Sequence, residues 1–537
     1  TGVGDHTGDF MNDMAGQRRS RSGGAVPVLA PYYRPALSKK AVRRLYWLLF
    51  FSCFITGGII AIFPPSWLSM LLYPIAIQIL LVIWLLPETE NPPLRLMNWT
   101  FFAFFISVII WPYYLAIQIP GMPLIEIRRT FVSLSLLSLM ISYSVSPTFR
   151  MEIGKIYTTI PLLGKFFAFY LLTQLLSIVL APNVGQSFSV LAKNLTSGTG
   201  VFLIGMFVLT REGRAEKLVG IFCGLGMFIS LLGFAEYRNQ QVLWANHIPQ
   251  FLMIQDPVMQ NLLTPVFRNG FYRVTGTFSV SLVYAEFQSL TMPFLLHYFL
   301  FGKRPFWRFV CVVADGLAFA AILLTQARVG IAGAIVAHAV YIAIWAIKRR
   351  REDKQTLIGT ATLFGYPMVV ALIGLAVMVV PAVHNRVLGG GTHQASSDAR
   401  KQQWNEGIPL IAKRPLFGYG PSQAAGVLGY TNPAGVITID SGILVTLLNY
   451  GLVGFISYIG MLAMAIIEGI RVGTNSLSRE VAYAAPAAVA LMVWLNARLV
   501  LAQEDTYPLM YVFLGLIVAL VYRERMNAAS GPVSSAS

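Results

Sequence analysis

The chain has 537 residues, of which 56% are hydrophobic and 12% charged, and it carries a formal net charge of +17. An ordinary soluble domain carries nearer about 25% charged residues, so the composition excludes one and points to a polytopic membrane protein. The basic excess does not call for nucleic acid as a partner, because no recognition module is present and bilayer proteins collect Lys and Arg in their cytoplasmic loops. Cys53, Cys223 and Cys311 all lie inside apolar runs, where neither a disulfide framework nor a zinc site is expected.

In chain order, residues 1–44 are polar, rich in glycine and without periodicity, which predicts a disordered cytoplasmic tail. No cleavable signal peptide is visible, so the first apolar run is expected to stay as an anchor. A crossing needs roughly 20 apolar residues. Such runs lie at 45–63, 67–86, 99–119, 131–145, 160–180, 190–210 and 218–236, then at 280–300, 309–326, 329–347 and 357–381, and finally at 441–470, 482–501 and 507–522. The expectation is an all-α, polytopic domain over 45–523 with about fourteen transmembrane helices, followed by a cytoplasmic tail at 524–537.

Two longer connections, 237–279 and 382–439, fall on one side of this arrangement. With both termini cytoplasmic, about two thirds of the basic residues collect inside, so the two loops are expected to be periplasmic. Arg238, Arg268, Arg273, Arg386, Arg400, Lys401, Lys413 and Arg414 then run against the topological bias, and Arg328 begins a helix on the same side. Residues 258–266 are expected to form a short interfacial helix. Phe306, Trp307, Trp67 and Tyr114 near helix ends read as interfacial aromatic belts.

The second loop and the helix after it carry the most distinctive pattern. Arg400 and Trp404 give R-x3-W, Pro415, Gly418 and Gly420 give P-x2-G-x-G, and Asp440 stands eleven residues before the G-x-x-G of Gly451 and Gly454. Upstream lie RVTGTFS at Arg273–Ser279 and LLTQARVG around Arg328. In this order the pieces resemble the O-antigen ligase and polysaccharide polymerase superfamily. The resemblance implies a GT-C-like, metal-independent inverting glycosyltransferase without cofactor in a bacterial inner membrane, using a polyprenyl-diphosphate oligosaccharide. It further implies a lipid-linked donor and acceptor, membrane lipid, and chain-length regulators or export proteins as partners. Ligases of this family usually carry His-Asn where this chain has Asp440-Ser441, and Asn449 replaces a common acidic residue, which favours a polymerase over a ligase.

Moving a glycan off a diphosphate requires cations aimed at the leaving group, and arginine binds phosphate oxygens through a planar fork that stays charged when desolvated. Arg273 and Arg328 are the catalytic candidates, with Arg400, Trp404 and Arg414 as substrate-binding residues. The plainer alternative is that Arg328 and Arg400 snorkel to headgroups or pair with Asp398 and Glu406. Asp440 is the candidate general base for the acceptor hydroxyl; its alternative is a helix N-cap. Glu286 and Asp315 lie within predicted membrane helices, where an ionisable group is costly and faces a partner or cavity. Glu286 is therefore a further substrate-site candidate, and either carboxylate could orient an arginine or handle a proton.

His247, His384 and His393 are scattered and make a poor metal site. Gly389–Gly391 reads as a hinge rather than a phosphate cradle, since no strand precedes it. The sequons at Asn98 and Asn194 read as chance matches. No Walker motif and no G-x-G-x-x-G between a strand and a helix is present, so neither ATP nor a nucleotide sugar is the evident energy source. A flippase or secondary transporter is the rival of another class, but the sequence lacks the internal repeat that such proteins show.

Overall fold

The computed structural model describes residues 38–62, 68–118, 125–254, 261–268, 270–352, 394–432 and 435–529, with scattered positions between 354 and 379. The protein is an all-α multi-pass membrane protein. Among the described residues eight helices are long and apolar enough to cross a bilayer, or up to nine if one sharply bent pair counts as a single span.

The first half comprises α1 (Lys39–Ile62), α2 (Leu68–Leu85), α3 (Leu94–Ile110), β1 (Leu115–Ile117), α4 (Ile127–Val145), α5 (Pro147–Tyr157), α6 (Pro161–Val179), α7 (Val184–Asn194), α8 (Val201–Val208) and α9 (Arg214–Asn239). After it come β2 (Leu252–Ile254), β3 (Phe267–Arg268), β4 (Phe271–Tyr272), α10 (Ser281–Phe301), α11 (Pro305–Leu324) and α12 (Arg328–Glu352). The chain ends with α13 (Gln394–Lys413), α14 (Ala424–Leu428), α15 (Gly442–Asn475), α16 (Ala484–Arg498) and α17 (Tyr507–Ala529).

Every predicted run except 357–381 falls on a helix; most of that run, like residues 1–37 and Gly389–Gly391, lies outside the described residues. Four boundaries are corrected. The first helix starts at Lys39, within the predicted tail. The run at 99–119 stops being helical after Ile110, because Pro112 disfavours helix in the residue before it, and β1 pairs antiparallel with β2 instead. Upstream of 190–210, helix already begins at Val184 and passes through a π-turn at Leu195–Gly200. There a Cβ on Gly198 or Gly200 would strike Tyr511 or Leu136. In the expected helix at 258–266 the described part holds a single 3-10 turn, Asn261–Leu263.

The interior is organised around α10, α16 and α17. Helix α10 packs on α11, α12 and α16, and α16 packs on α12, α15 and α17. Side chains from Leu509 to Val521 on α17 are all buried, and α10 buries Gln288, Ser289 and Thr291 along with its apolar residues. With all faces of these stretches buried, they are surrounded by protein rather than lipid. Ser289 resolves its burial by donating to Ala285 O at 2.8 Å and Gly330 O at 2.9 Å, which knits α10 to α12.

Helix α15 is broken at Gly451, whose φ of 66° and ψ of −167° belong to a region essentially open only to glycine. The loop at 415–424 closes the break. Leu452 N–H donates to Pro415 O at 2.7 Å, Tyr419 N–H to Leu448 O at 2.8 Å and Gly420 N–H to Asn449 O at 2.9 Å. From the helix side, Asn449 Oδ1 accepts from the backbone N–H of Gln423 and Ala424 at 3.1 and 2.9 Å. Loop and helix approach so closely that a Cβ on Gly451 would lie 2.4 Å from Leu416 O, and one on Gly418 2.4 Å from Leu448 O. Gly418 and Gly420 of the P-x2-G-x-G and Gly451 of the G-x-x-G thus stand on two sides of one backbone clasp. Replacing Gly451 by Ala is expected to cost on the order of 1–3 kcal/mol from φ/ψ strain alone. Thermal unfolding in detergent should show its midpoint several degrees lower, and Gly426→Ala, whose Cβ would meet nothing within 4 Å, should leave it unchanged.

Candidate active site

A cavity of about 660 Å³ opens beneath the two long loops, and Arg268, Arg273, Arg328, Arg400 and Asp440 all line it. Three predicted positions from separate parts of the chain, Arg273, Arg328 and Asp440, are therefore brought together, with Arg400 as the fourth. Ser279, Asn496 and Gln503 are among the polar residues of its walls, and Leu282, Val329 and Leu499 among the apolar ones.

Each cation is delivered by a different element. Arg273 follows the β3–β4 hairpin, in which Phe267 pairs with Tyr272. Its backbone N–H donates to Val266 O at 2.9 Å, and its Nε donates to Thr325 O, at the end of α11, at 2.9 Å. Arg328 is the first residue of α12 and follows Gln326, which holds a positive φ of 55°; its Nη2 donates to Ser397 Oγ on α13 at 3.3 Å. Arg400 stands in the second turn of α13.

These arginines form no ion pair with a described residue. Arg273 Nη2 and Arg400 Nε are buried without a hydrogen-bond partner among the described residues, as is Ser279 Oγ. Burial, reinforced by Arg268, lowers the Arg273 guanidinium to about 10, which leaves it charged at neutral pH. Burial also lowers Arg268, and Arg400 adds to the effect. Unmatched donors in a partly desolvated site are stabilised by an anion that supplies the missing acceptors.

Asp440 sits two residues before α15. The N-cap of that helix is Ser441, whose Oγ accepts from Leu444 N–H at 3.4 Å. Asp440 donates its own N–H to Gln403 Oε1 at 2.9 Å, and its carboxylate makes no hydrogen bond to a described residue. Burial raises its pKa above the ordinary aspartate value, and Arg400 opposes the rise. The carboxylate is therefore available to a ligand.

Four expected residues lie elsewhere. Glu286 is fully buried and off the cavity wall, accepting from Arg498 Nη2 and from Thr506 Oγ1 at 2.8 Å. Arg498 in turn stacks 4.7 Å from the Trp494 ring and donates to Gln503 O at 2.6 Å. Glu286 thus orients an arginine, and through it the α16–α17 connection that contributes Leu499 and Gln503 to the wall. Trp404 packs into the α13–α15 seam beside Tyr419, Leu444 and Leu448. Arg414 donates to Leu180 O at 2.6 Å and covers the Tyr419 ring at 4.8 Å. Asp315 pairs with His338 at 3.0 Å, away from the cavity. The buried Ser279 hydroxyl was not singled out from the sequence; its place at the end of the RVTGTFS segment is the one signal that marks it.

A multi-pass helical membrane protein whose loop side roofs a cavity of uncompensated arginines around one carboxylate is suited to handling an anionic, membrane-borne substrate. Residues 313–459 match the family described as O-antigen ligase, so over this stretch the chain is similar to that family of membrane enzymes. The matched stretch runs from within α11 into α15, so it holds Arg328, Arg400, Asp440 and the clasp but neither Arg268 nor Arg273. No curated protein matches the chain.

The two neighbours at the start of α15 should separate on substitution. Ser441→Ala removes the cap and is expected to cost about 1 kcal/mol, seen as a lower thermal midpoint, whereas Asp440→Asn relieves a partly buried carboxylate and should leave the midpoint unchanged or higher.

Proposed function

We propose that the protein is a polysaccharide polymerase of a bacterial inner membrane, with both termini cytoplasmic and the cavity open to the periplasm. It joins oligosaccharide repeat units carried on polyprenyl diphosphate. The observation that carries this reading is the convergence around Asp440 of Arg268, Arg273, Arg328 and Arg400, none of which forms an ion pair with a described residue.

In the transfer step the acceptor hydroxyl oxygen attacks the anomeric carbon of the donor sugar. The bond from that carbon to the phosphate oxygen breaks as the new glycosidic bond forms, and the lipid diphosphate leaves with the electron pair. Arg273 and Arg328 bind the diphosphate oxygens and stabilise the charge that grows on them. Asp440 takes the acceptor proton. The neutral polar groups of Asn496, Ser279 and Gln503 face the sugars, and the apolar wall takes the start of the lipid. Chain-length regulators or export proteins would act on the product. A ligase that transfers a finished glycan once to a core acceptor is the second reading, and the family match supports the two readings equally. Asp440-Ser441 in place of His-Asn supports the polymerase.

Purified protein given a lipid-linked repeat unit is expected to produce a ladder of longer lipid-linked products; a single capping of an added core acceptor, with no ladder, supports the ligase instead. Arg273→Ala or Arg328→Ala should lower the rate about 10²- to 10³-fold with membrane insertion intact, and full activity in both removes the diphosphate role. Because Asp440 must be deprotonated to accept a proton and its pKa is raised, the rate should fall as pH drops through that raised value. Asp440→Asn should lose about 10²- to 10⁴-fold together with this acid limb; a mutant profile that keeps the limb assigns the base elsewhere.

A further inference from the structure

The mechanism leaves one buried carboxylate unused. Glu236 lies in the last turn of α9 and is fully buried. A helix C-terminus disfavours negative charge, and a carboxylate removed from water is costly unless it is densely hydrogen-bonded. Helix stability alone therefore gives no reason for Glu at this position. Its neighbourhood does.

Glu236 Oε1 accepts from Tyr272 Oη at 2.8 Å, Thr275 N–H at 2.9 Å and Thr275 Oγ1 at 3.3 Å, and Oε2 accepts from Gly276 N–H at 2.7 Å. These donors bracket Arg273 in sequence. Gly276 reaches the carboxylate with a positive φ of 57°, packed so closely on Tyr284 that a Cβ would lie 2.7 Å from its ring. The rest of the segment is fixed independently, since Thr277 Oγ1 donates to Ile109 O at 2.6 Å and Ser279 N–H to Asp505 Oδ2 at 2.9 Å. No ion pair joins Glu236 to Arg273, so any influence passes through the backbone of the turn.

We propose that Glu236 is a positioning residue for the transfer reaction: by gripping both sides of Arg273 it holds that guanidinium on the cavity wall with Nη2 left uncommitted for the ligand. Among the described residues the Arg273 side chain has one anchor, the bond from Nε to Thr325 O. A turn free to shift would let Nη2 find a protein acceptor or water, and the site would lose a preorganised donor. The assignment rests on the diphosphate reading of the cavity.

The test uses the full-length protein in detergent and geranylgeranyl diphosphate as the probe. Glu236→Gln keeps the size of the side chain but presents an amide N–H₂ to donors, so it cannot accept all four bonds. It should bind the probe about 10-fold more weakly, as should Arg273→Ala, and the double variant should bind no more weakly than Arg273→Ala alone. Multiplied losses in the double variant, or wild-type binding by Glu236→Gln, overturn the proposal while the diphosphate reading stands. Wild-type binding by Arg273→Ala overturns that reading and the proposal with it. Should Glu236→Gln fail to fold, Tyr272→Phe removes one of the four donors. It should give a few-fold loss that likewise vanishes in the Arg273→Ala background, and a loss that persists there overturns the proposal.

Discussion

A membrane helix can be interrupted only where other groups take up the backbone bonds it gives up, and the break in α15 at Gly451 meets that condition through the 415–424 loop. The consequence reaches the cavity. Helices α13 and α14 pack on α15 and on each other, so the clasp fixes the roof that carries Arg400 against the helix that Asp440 precedes. Gln403 completes the connection by accepting the Asp440 N–H. Cation and carboxylate are thereby placed by main-chain hydrogen bonds rather than by their own side-chain contacts, which leaves both free to meet a substrate.

The opposite wall is built by a different rule. Arg273 and Arg328 are anchored through single bonds to Thr325 O and Ser397 Oγ, each of which spends one donor and leaves the rest of the fork open. Four guanidinium groups lining one partly desolvated cavity repel one another, and no described acid pairs with any of them. A lysine in these places would lose its proton more readily on burial, whereas the guanidinium stays charged. Deeper in the bundle the reverse holds: Glu286 and Arg498 form a buried ion pair, and the pair serves the wall from behind. The protein thus separates cations kept for a ligand from cations kept for the fold.

Much of this was legible locally. Apolar runs located the helices because a lipid-facing or core-facing span must be apolar over its whole length. The order of Arg273, Arg328, Arg400 and Asp440 pointed to one site, and all four line the cavity. What stayed hidden depends on residues distant in sequence. Glu286 gave no sign that its partner would be Arg498, 212 residues away, and nothing in 99–119 announced that Leu115–Ile117 would pair with Leu252–Ile254. Trp404 and Arg414 share the motif with Arg400 but point into packing seams, since residues of one conserved-looking pattern on a helix and its loop need not share a face. The choice of Ser441 over Asp440 as the helix cap rests on backbone angles that residue type alone does not fix.

The most direct test of the account is a density map of the protein with a polyprenyl-diphosphate-linked oligosaccharide bound. The diphosphate should lie among Arg268, Arg273, Arg328 and Arg400, with a sugar hydroxyl within hydrogen-bond reach of Asp440. A diphosphate held anywhere else on the protein, with this cavity empty of ligand, would contradict it.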